Sequence, residues 1–350
     1  MLSGGQGGLE QSMLDYCGAL ATEGHRVMAI THPDWPGLEG LGRLPVQVAD
    51  CRTLGEWDPL AVLRLKKLLR LARSDIVLTI GRRASGLTRR ALSGVFNLPQ
   101  VAVTPNYSFD QLIGLDHVLA TTAHLRRSLI AAGQPADRVT VVPNMVQVPE
   151  YAAPVAPEPV ELPVIGALGR FVPKKGFVQL IEALALLRAR DHSFSMCLAG
   201  SGPEEASLRA SVAQRGLADR ITFLGWITDK RRFFESVDIF CVPSLHEPFG
   251  IVVLEGFAFG RASVVTDAEG PSQIARHGVD ALVVPRGDPA RLADGLASLL
   301  DDPNLRHRLG RAALAIARER YEQKVVARQI SCVLRRIVRE RQLVAAGVHG

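Results

Sequence analysis

The chain has 350 residues, 47% hydrophobic and 22% charged, a length suited to two domains of roughly 150–200 residues and a composition that excludes disordered and fibrous classes. No apolar run approaches the ~18 residues of a spanning helix, and a Gly-rich turn stands where a secretion signal would place its apolar stretch, so neither a membrane span nor an ordinary signal is expected. The net charge is +6, but residues 59–90 and 306–341 each carry a surplus of basic residues, while aromatics are 5% and none interleaves with Arg in either island, which argues against nucleic acid. An anionic membrane surface or a phosphate-bearing substrate suits the islands better; a merely solvated helix face is the alternative.

In chain order, apolar runs at 26–31, 46–49, 75–80, 100–104, 116–121 and 138–143 read as buried strands, separated by helical patterns near 9–22, 60–73, 84–93 and 122–132. The Pro-rich stretch 151–163 reads as a linker. Strands follow at 163–169, 194–200, 221–225, 238–243, 262–266 and 281–285, with helices near 176–190, 203–215, 229–236 and 250–259. The expectation is α/β: two doubly wound parallel-sheet domains, 1–150 and 163–321, joined at 151–162 and facing a cleft, with a closing helix in 322–350. A Gly-rich turn normally follows a strand, yet GGQGGLE starts at residue 4, so the first strand of the N-terminal domain is expected to be missing. The five cysteines are scattered without a CxxC pair and suit a reducing cytosol; no disulfide or zinc framework is expected.

Chemistry concentrates in residues 243–260, PSLHEPFGIVVLEGFAFG. A strand ends, two prolines turn the chain, and Gly250 opens an apolar helix whose first amides, at Phe249, Gly250 and Ile251, can receive a phosphate or sugar hydroxyl. Glu247 precedes that helix start and Glu255 lies inside it, where a carboxylate can accept from a vicinal diol. In LGRFVPKKGF (168–177), Arg170 and Lys175 flank another strand-to-helix loop and can neutralise a diphosphate, although an exposed basic turn is the favoured reading of that loop alone. The Gly-rich turn 3–10 offers amides to a phosphate or is a plain tight turn.

Together with HRVMAIT, VVPNMV (141–146), LAGSGPE and ITFLGWI, these stretches resemble the retaining glycosyltransferases of family four, of the bacterial lipopolysaccharide or polysaccharide type. The resemblance spans essentially the whole chain and implies the GT-B architecture. It implies that Arg170 and Lys175 grip the donor diphosphate, Glu255 holds the ribose hydroxyls and Glu247 contacts the donor sugar. Gly7 and Gly8 would approach the phosphate from the N-terminal, acceptor-side domain, and the base would sit near Trp226 and Ile227. The implied reaction moves a hexose from a nucleotide-diphosphate sugar to a lipid-linked or polysaccharide acceptor with retention, the leaving phosphate taking the acceptor's proton. No cofactor or metal is expected, since cations and helix amides supply the charge.

Family members often carry a His before the Asn of the first domain's turn, where this chain reads VAVTPNYS, with Pro105 followed by Asn106. The alternatives are a degenerate nucleotide-sugar-binding protein without transferase activity and a nucleotide-sugar epimerase on the same fold. On the wheel of residues 60–73, Ala61, Val62, Leu65, Leu68, Leu69 and Ala72 form the packing stripe. Leu60, Leu63 and Leu71 fall among the cations Lys66, Lys67 and Arg70, a pattern suited to an anionic membrane surface. The expected location is cytoplasmic, peripheral on the inner face of the membrane.

Overall fold

The computed structural model describes the chain apart from residues 1–7, 95–96, 105, 157, 159 and 346–350. Its contacts divide it into two compact units, Met1–Met145 with Gln323–Gly350, and Val146–Glu322.

The first unit runs α1 (Gly8–Thr22), β1 (Met28–Thr31), α2 (Leu38–Gly42), β2 (Gln47–Asp50), α3 (Pro59–Ala72), β3 (Val77–Ile80), α4 (Arg82–Leu92), β4 (Gln100–Thr104), β5 (His117–Ala120), α5 (Ala123–Ala131) and β6 (Val139–Val141). β1 and β2 pair in parallel, and β3-β4-β5-β6 form a separate four-stranded parallel sheet. Every residue of β4 and β5 is buried, as near-continuous apolar strands covered on both faces require. Asp58 caps α3 by accepting from the Ala61 amide at 3.0 Å, and Pro59 occupies the first turn, where its missing N–H costs nothing.

The second unit runs β7 (Val164–Leu168), α6 (Phe177–Ala189), β8 (Ser195–Ala199), α7 (Glu205–Gln214), β9 (Ile221–Gly225), α8 (Lys230–Glu235), β10 (Ile239–Val242), α9 (Ile251–Ala258), β11 (Ala262–Thr266), α10 (Pro271–Ile274), β12 (Leu282–Val284), α11 (Pro289–Asp301) and α12 (Pro303–Ile316). Its six strands are parallel in the order β12-β11-β10-β7-β8-β9. Phe177, Leu184, Val212 and Leu296 help build one apolar cluster, and Phe234, Phe240, Leu254 and Phe257 another. Helices α11 and α12, absent from the sequence reading, each begin with an Asp cap followed by Pro, at 288–289 and 302–303.

The last helix, α13 (Gln323–Ala345), belongs to the first unit. Val326, Ala327, Ile330, Leu334 and Ile337 recur on one face and pack with Met13, Tyr16 and Leu20 of α1. The segment read from sequence as a linker is held by the second unit. Arg261 donates to the Ala153 carbonyl at 2.9 Å, Arg318 to that of Ala152 at 3.1 Å, and the His307 ring meets the Val155 carbonyl at 3.0 Å. Prolines there deny the segment a helix, but its carbonyls are free to accept these bonds. Among the described residues, no helix is long and apolar enough to cross a membrane.

Candidate active site

In the second unit the strand order reverses between β7 and β10: β8 and β9 continue on one side, β11 and β12 on the other. The carboxyl ends of strands at such a switch point form the natural ligand crevice of an open α/β sheet. The two loops singled out from sequence leave the sheet there, 169–176 after β7 and 243–250 after β10. They are sewn together by the amides of Leu245 and His246, which donate to the Lys174 carbonyl at 2.8 and 3.1 Å. Gly176 has φ +69°, and a Cβ there would lie 2.0 Å from the Pro243 carbonyl oxygen, so only glycine lets the loops approach this closely.

This seam brings Lys175 against Glu247 in a hydrogen-bonded ion pair, both side chains largely buried. Arg170 stands exposed at the mouth of the same loop. Gly250, at φ +93°, turns the chain into α9, whose first-turn amides have no carbonyl of their own helix to donate to. Phe249 offers only its backbone, because its ring is buried in the apolar cluster beneath, and Ile251 packs on that cluster too.

Glu255, on α9, is only 8% exposed. One carboxylate oxygen accepts from Lys230 at 2.5 Å, while Oε2 is buried without a partner. An orphaned acceptor of this kind is costly unless a ligand donor reaches it, and a sugar hydroxyl is the right donor. Lys230 opens α8, after the loop that holds the exposed Trp226 and the half-buried Ile227. Nothing in the spacing of the sequence tied Lys230 to Glu255.

Sequence reasoning also missed Glu269, just after β11. Its carboxylate accepts from Arg286 at 2.7 Å and from the Glu247 amide at 3.2 Å, and lies 3.3 Å from the His246 ring. The Gly270 amide returns a bond to the Glu247 carbonyl at 2.7 Å. Burial pushes the Glu269 carboxyl up, but hydrogen bonds from its own amide, Arg286, Glu247 and His246 outweigh it and hold the pKa at about 2. Glu269 is thus an ionised clamp on the Glu247 backbone. A carboxylate at the end of the strand beside β10 was the available signal.

The first-unit residues fare differently. Gly8 opens α1, whereas Gly7 and Pro105 lie outside the described residues. Asn106 Oδ1 accepts from the Ser108 amide at 3.0 Å and its carbonyl from Thr104, both local turn contacts. Along α3, Ala61, Leu65 and Leu69 are buried, Leu63, Lys67, Arg70 and Leu71 are exposed, and Lys66 is half-buried.

A switch-point site with paired Lys–Glu groups, an open helix start and an orphaned acceptor has the chemistry to suit an anionic, hydroxyl-rich ligand. Residues 152–315 match the glycosyl transferases group 1 and residues 6–148 match Glycosyltransferase Family 4. The chain is 30% identical to the lipopolysaccharide core biosynthesis glycosyltransferase LpsE of Rhizobium meliloti, over 87% of this chain and 89% of that one. It is 29% identical to LpsD of the same organism, over 92% and 93%. Among solved structures, Anabaena HepE in complex with UDP and glucose superposes with a TM-score of 0.81 at 22% identity, over 95% of this chain and 97% of that one. The chain belongs to the family-4 glycosyltransferases, of the lipopolysaccharide type and with the GT-B fold.

Proposed function

We propose that this glycosyltransferase moves a hexose, with retention, from a nucleoside-diphosphate sugar to a lipid-linked or polysaccharide acceptor at an anionic membrane surface. The observation that carries the donor half is the orphaned, buried Glu255 oxygen on the helix whose open start adjoins the Lys175–Glu247 pair. Lys175, Arg170 and the amides at Phe249, Gly250 and Ile251 neutralise the leaving diphosphate. Glu255 accepts from the ribose hydroxyls, and Glu247 orients the sugar. The bond from the anomeric carbon to the phosphate oxygen breaks as the acceptor oxygen bonds the same face. The acceptor's proton passes to the departing phosphate, so no protein nucleophile is needed, and the protein cations make a metal unnecessary. The complex of HepE with UDP and glucose supports a nucleoside-diphosphate donor for this chain as well.

The acceptor half rests on α3 and the loop before it. Leu54 and Trp57 are 89% and 78% exposed, and Leu60, Leu63 and Leu71 are exposed beside Lys66, Lys67 and Arg70. Apolar side chains interleaved with cations suit a headgroup layer.

A thermal-shift panel of nucleoside-diphosphate sugars, run with a chelator present, tests the donor reading. A matching donor at 100 times its dissociation constant stabilises by about 2.7 kcal/mol. No shift with any donor refutes it, and a shift without transfer to lipid-linked acceptors favours the binding protein without activity.

A further inference from the structure

The two carboxylate oxygens of Glu255 have opposite surroundings. Oε1 accepts from Lys230 Nζ at 2.5 Å, while Oε2 is shut off from solvent without a partner. The residue sits mid-way along α9, where its neighbours Val253, Leu254 and Phe257 belong to an apolar cluster of the second unit. Among the described residues, Lys230 is the one side chain bonded to it.

Local sequence decides where Lys230 stands. Asp229 caps α8, its carboxylate accepting from the Arg232 amide at 3.0 Å, so Lys230 is the first residue of that helix. Phe233 and Phe234, three and four positions on, share its side of the helix and are buried. Their ring centres lie 6.4 and 5.1 Å from that of Phe240 in β10, and Phe234 stacks on Phe259, just past α9, at 5.0 Å. These aromatic contacts lock α8 to the strand and helix around Glu255, so the lysine reaches it from a fixed base. Its side chain is 43% exposed against 11% for the glutamate. The ammonium therefore keeps water while it holds a carboxylate that has almost none.

We infer that Lys230 is a positioning residue for nucleotide recognition: by binding one oxygen of Glu255 it fixes the carboxylate plane and aims the other oxygen at the ribose hydroxyls of a nucleoside diphosphate. This role rests on the reading of Glu255 as the ribose acceptor. A carboxylate turns about its last torsion with little preference, and a free one would have to be ordered each time a ligand bound. With Oε1 held, the fold has already met that cost, and the lysine balances a charge that would be expensive to bury alone. A rigid, sheltered acceptor also discriminates. A nucleotide that lacks the ribose hydroxyls leaves it unpaired, which is how a site built to bond a hydroxyl rejects the analogue without one.

Calorimetry with UDP and GDP, each beside a dideoxyribose analogue that lacks both hydroxyls, tests the role. The proteins are the parent, Lys230→Met, Lys230→Arg, Glu255→Gln and the Lys230→Met/Glu255→Gln double variant. The parent is expected to favour the ribose form of the nucleotide it binds by about tenfold or more. Lys230→Met is expected to bind the dideoxy form as the parent does and to lower that preference to about threefold or less. Lys230→Arg, which keeps charge and donors, is expected to retain it. In the Glu255→Gln background the methionine is expected to change the preference no further. A further drop there overturns the role, because Lys230 would act other than through Glu255, and this double variant strands no carboxylate that could impair folding. A Lys230→Met variant that keeps the parent's preference overturns the role as well. So does one that melts as the parent does but loses both forms equally, which makes Lys230 a contact of the diphosphate. A parent that binds neither nucleotide, or binds ribose and dideoxy forms alike, overturns the ribose reading of Glu255 itself, and the role of Lys230 with it.

Discussion

Lys175→Met separates the structural from the chemical role of the seam between the β7 and β10 loops. Methionine keeps most of the lysine stem and removes its charge. Lys175 and Glu247 are 17% and 14% exposed, so the change strands a carboxylate that has little access to water. Leaving a buried polar group unsatisfied costs about 1–3 kcal/mol, and each kcal/mol is worth about 2–4 °C in a domain of roughly this size. The K175M variant should therefore melt several degrees low, and K175M/E247Q, which removes the stranded charge, should recover most of that loss. Turnover should not recover. Losing one preorganised stabiliser of the leaving phosphate costs about 100- to 1000-fold in kcat, and the double variant lacks both groups. The assay is kcat at saturating donor beside Tm for parent, both single variants and the double, which together form a cycle. A K175M enzyme that turns over within a small factor of the parent refutes the role of Lys175 at the diphosphate. A double variant that melts no higher than K175M refutes the stranded-charge account.

Glu255→Gln should weaken donor binding about tenfold or more, a 1.4 kcal/mol change, with kcat at saturating donor much less affected; titration calorimetry with the donor nucleotide checks it, and unchanged affinity makes Glu255 a helix residue only. Because Glu269 has its pKa depressed to about 2 from the ordinary 4.5, its contribution is complete above pH 4.5 and is lost as pH falls through about 2. The Tm gap between parent and Glu269→Gln should thus be full at pH 7 and close over that window; a gap independent of pH removes the charged clamp. Deleting 323–350 removes Val326, Ile330, Leu334 and Ile337 from the first core, at about 1.5–3 kcal/mol each, against a domain stability of about 5–15 kcal/mol. Hydrogen exchange should show the first unit opened and the second protected. The Lys66→Glu, Lys67→Glu, Arg70→Glu triple variant should lose salt-sensitive co-sedimentation with anionic vesicles and keep donor binding; equal sedimentation with the parent clears α3 of that role.

The second unit was the more legible half because parallel strands buried on both faces spell themselves out as apolar runs, and its switch-point loops carry Gly, Pro and charge in short order. Local chemistry hid less than long-range pairing did. Glu247 and Glu255 stood out from their loop and helix start, but the cations that hold them, Lys175 and Lys230, come from 72 and 25 residues away in sequence. Only the Lys175 loop announced itself. Glu269 carried only the weak signal of a carboxylate at a strand end, because its meaning lies in the backbone of Glu247, which the fold brings to it across the β10–β11 boundary. The Asp-Pro starts of α11 and α12 were readable, and their omission came from weighting apolar periodicity over caps. Residues 151–163 looked like a linker because prolines suppress periodicity, while the carbonyl contacts that hold Ala152, Ala153 and Val155 leave no mark in composition.

The ion pairs also explain how carboxylates can be held charged in so sheltered a site. Each carboxylate at the switch point is held by a lysine, Glu247 by Lys175 and Glu255 by Lys230, and Glu269 by Arg286 behind them. An unpaired carboxylate in so sheltered a place would be costly. Under the proposed reaction the donor's diphosphate draws on Lys175, and its hydroxyls donate to the open Glu255 oxygen. Glu247, sharing Lys175 with the diphosphate, is then the one of the three that faces the sugar, and the positive character that develops there offsets the cost of its weakened pair. That assigns the electrostatic work of the transition state to Glu247 and the work of binding to Glu255, so Glu247→Gln should lower kcat where Glu255→Gln weakens donor binding.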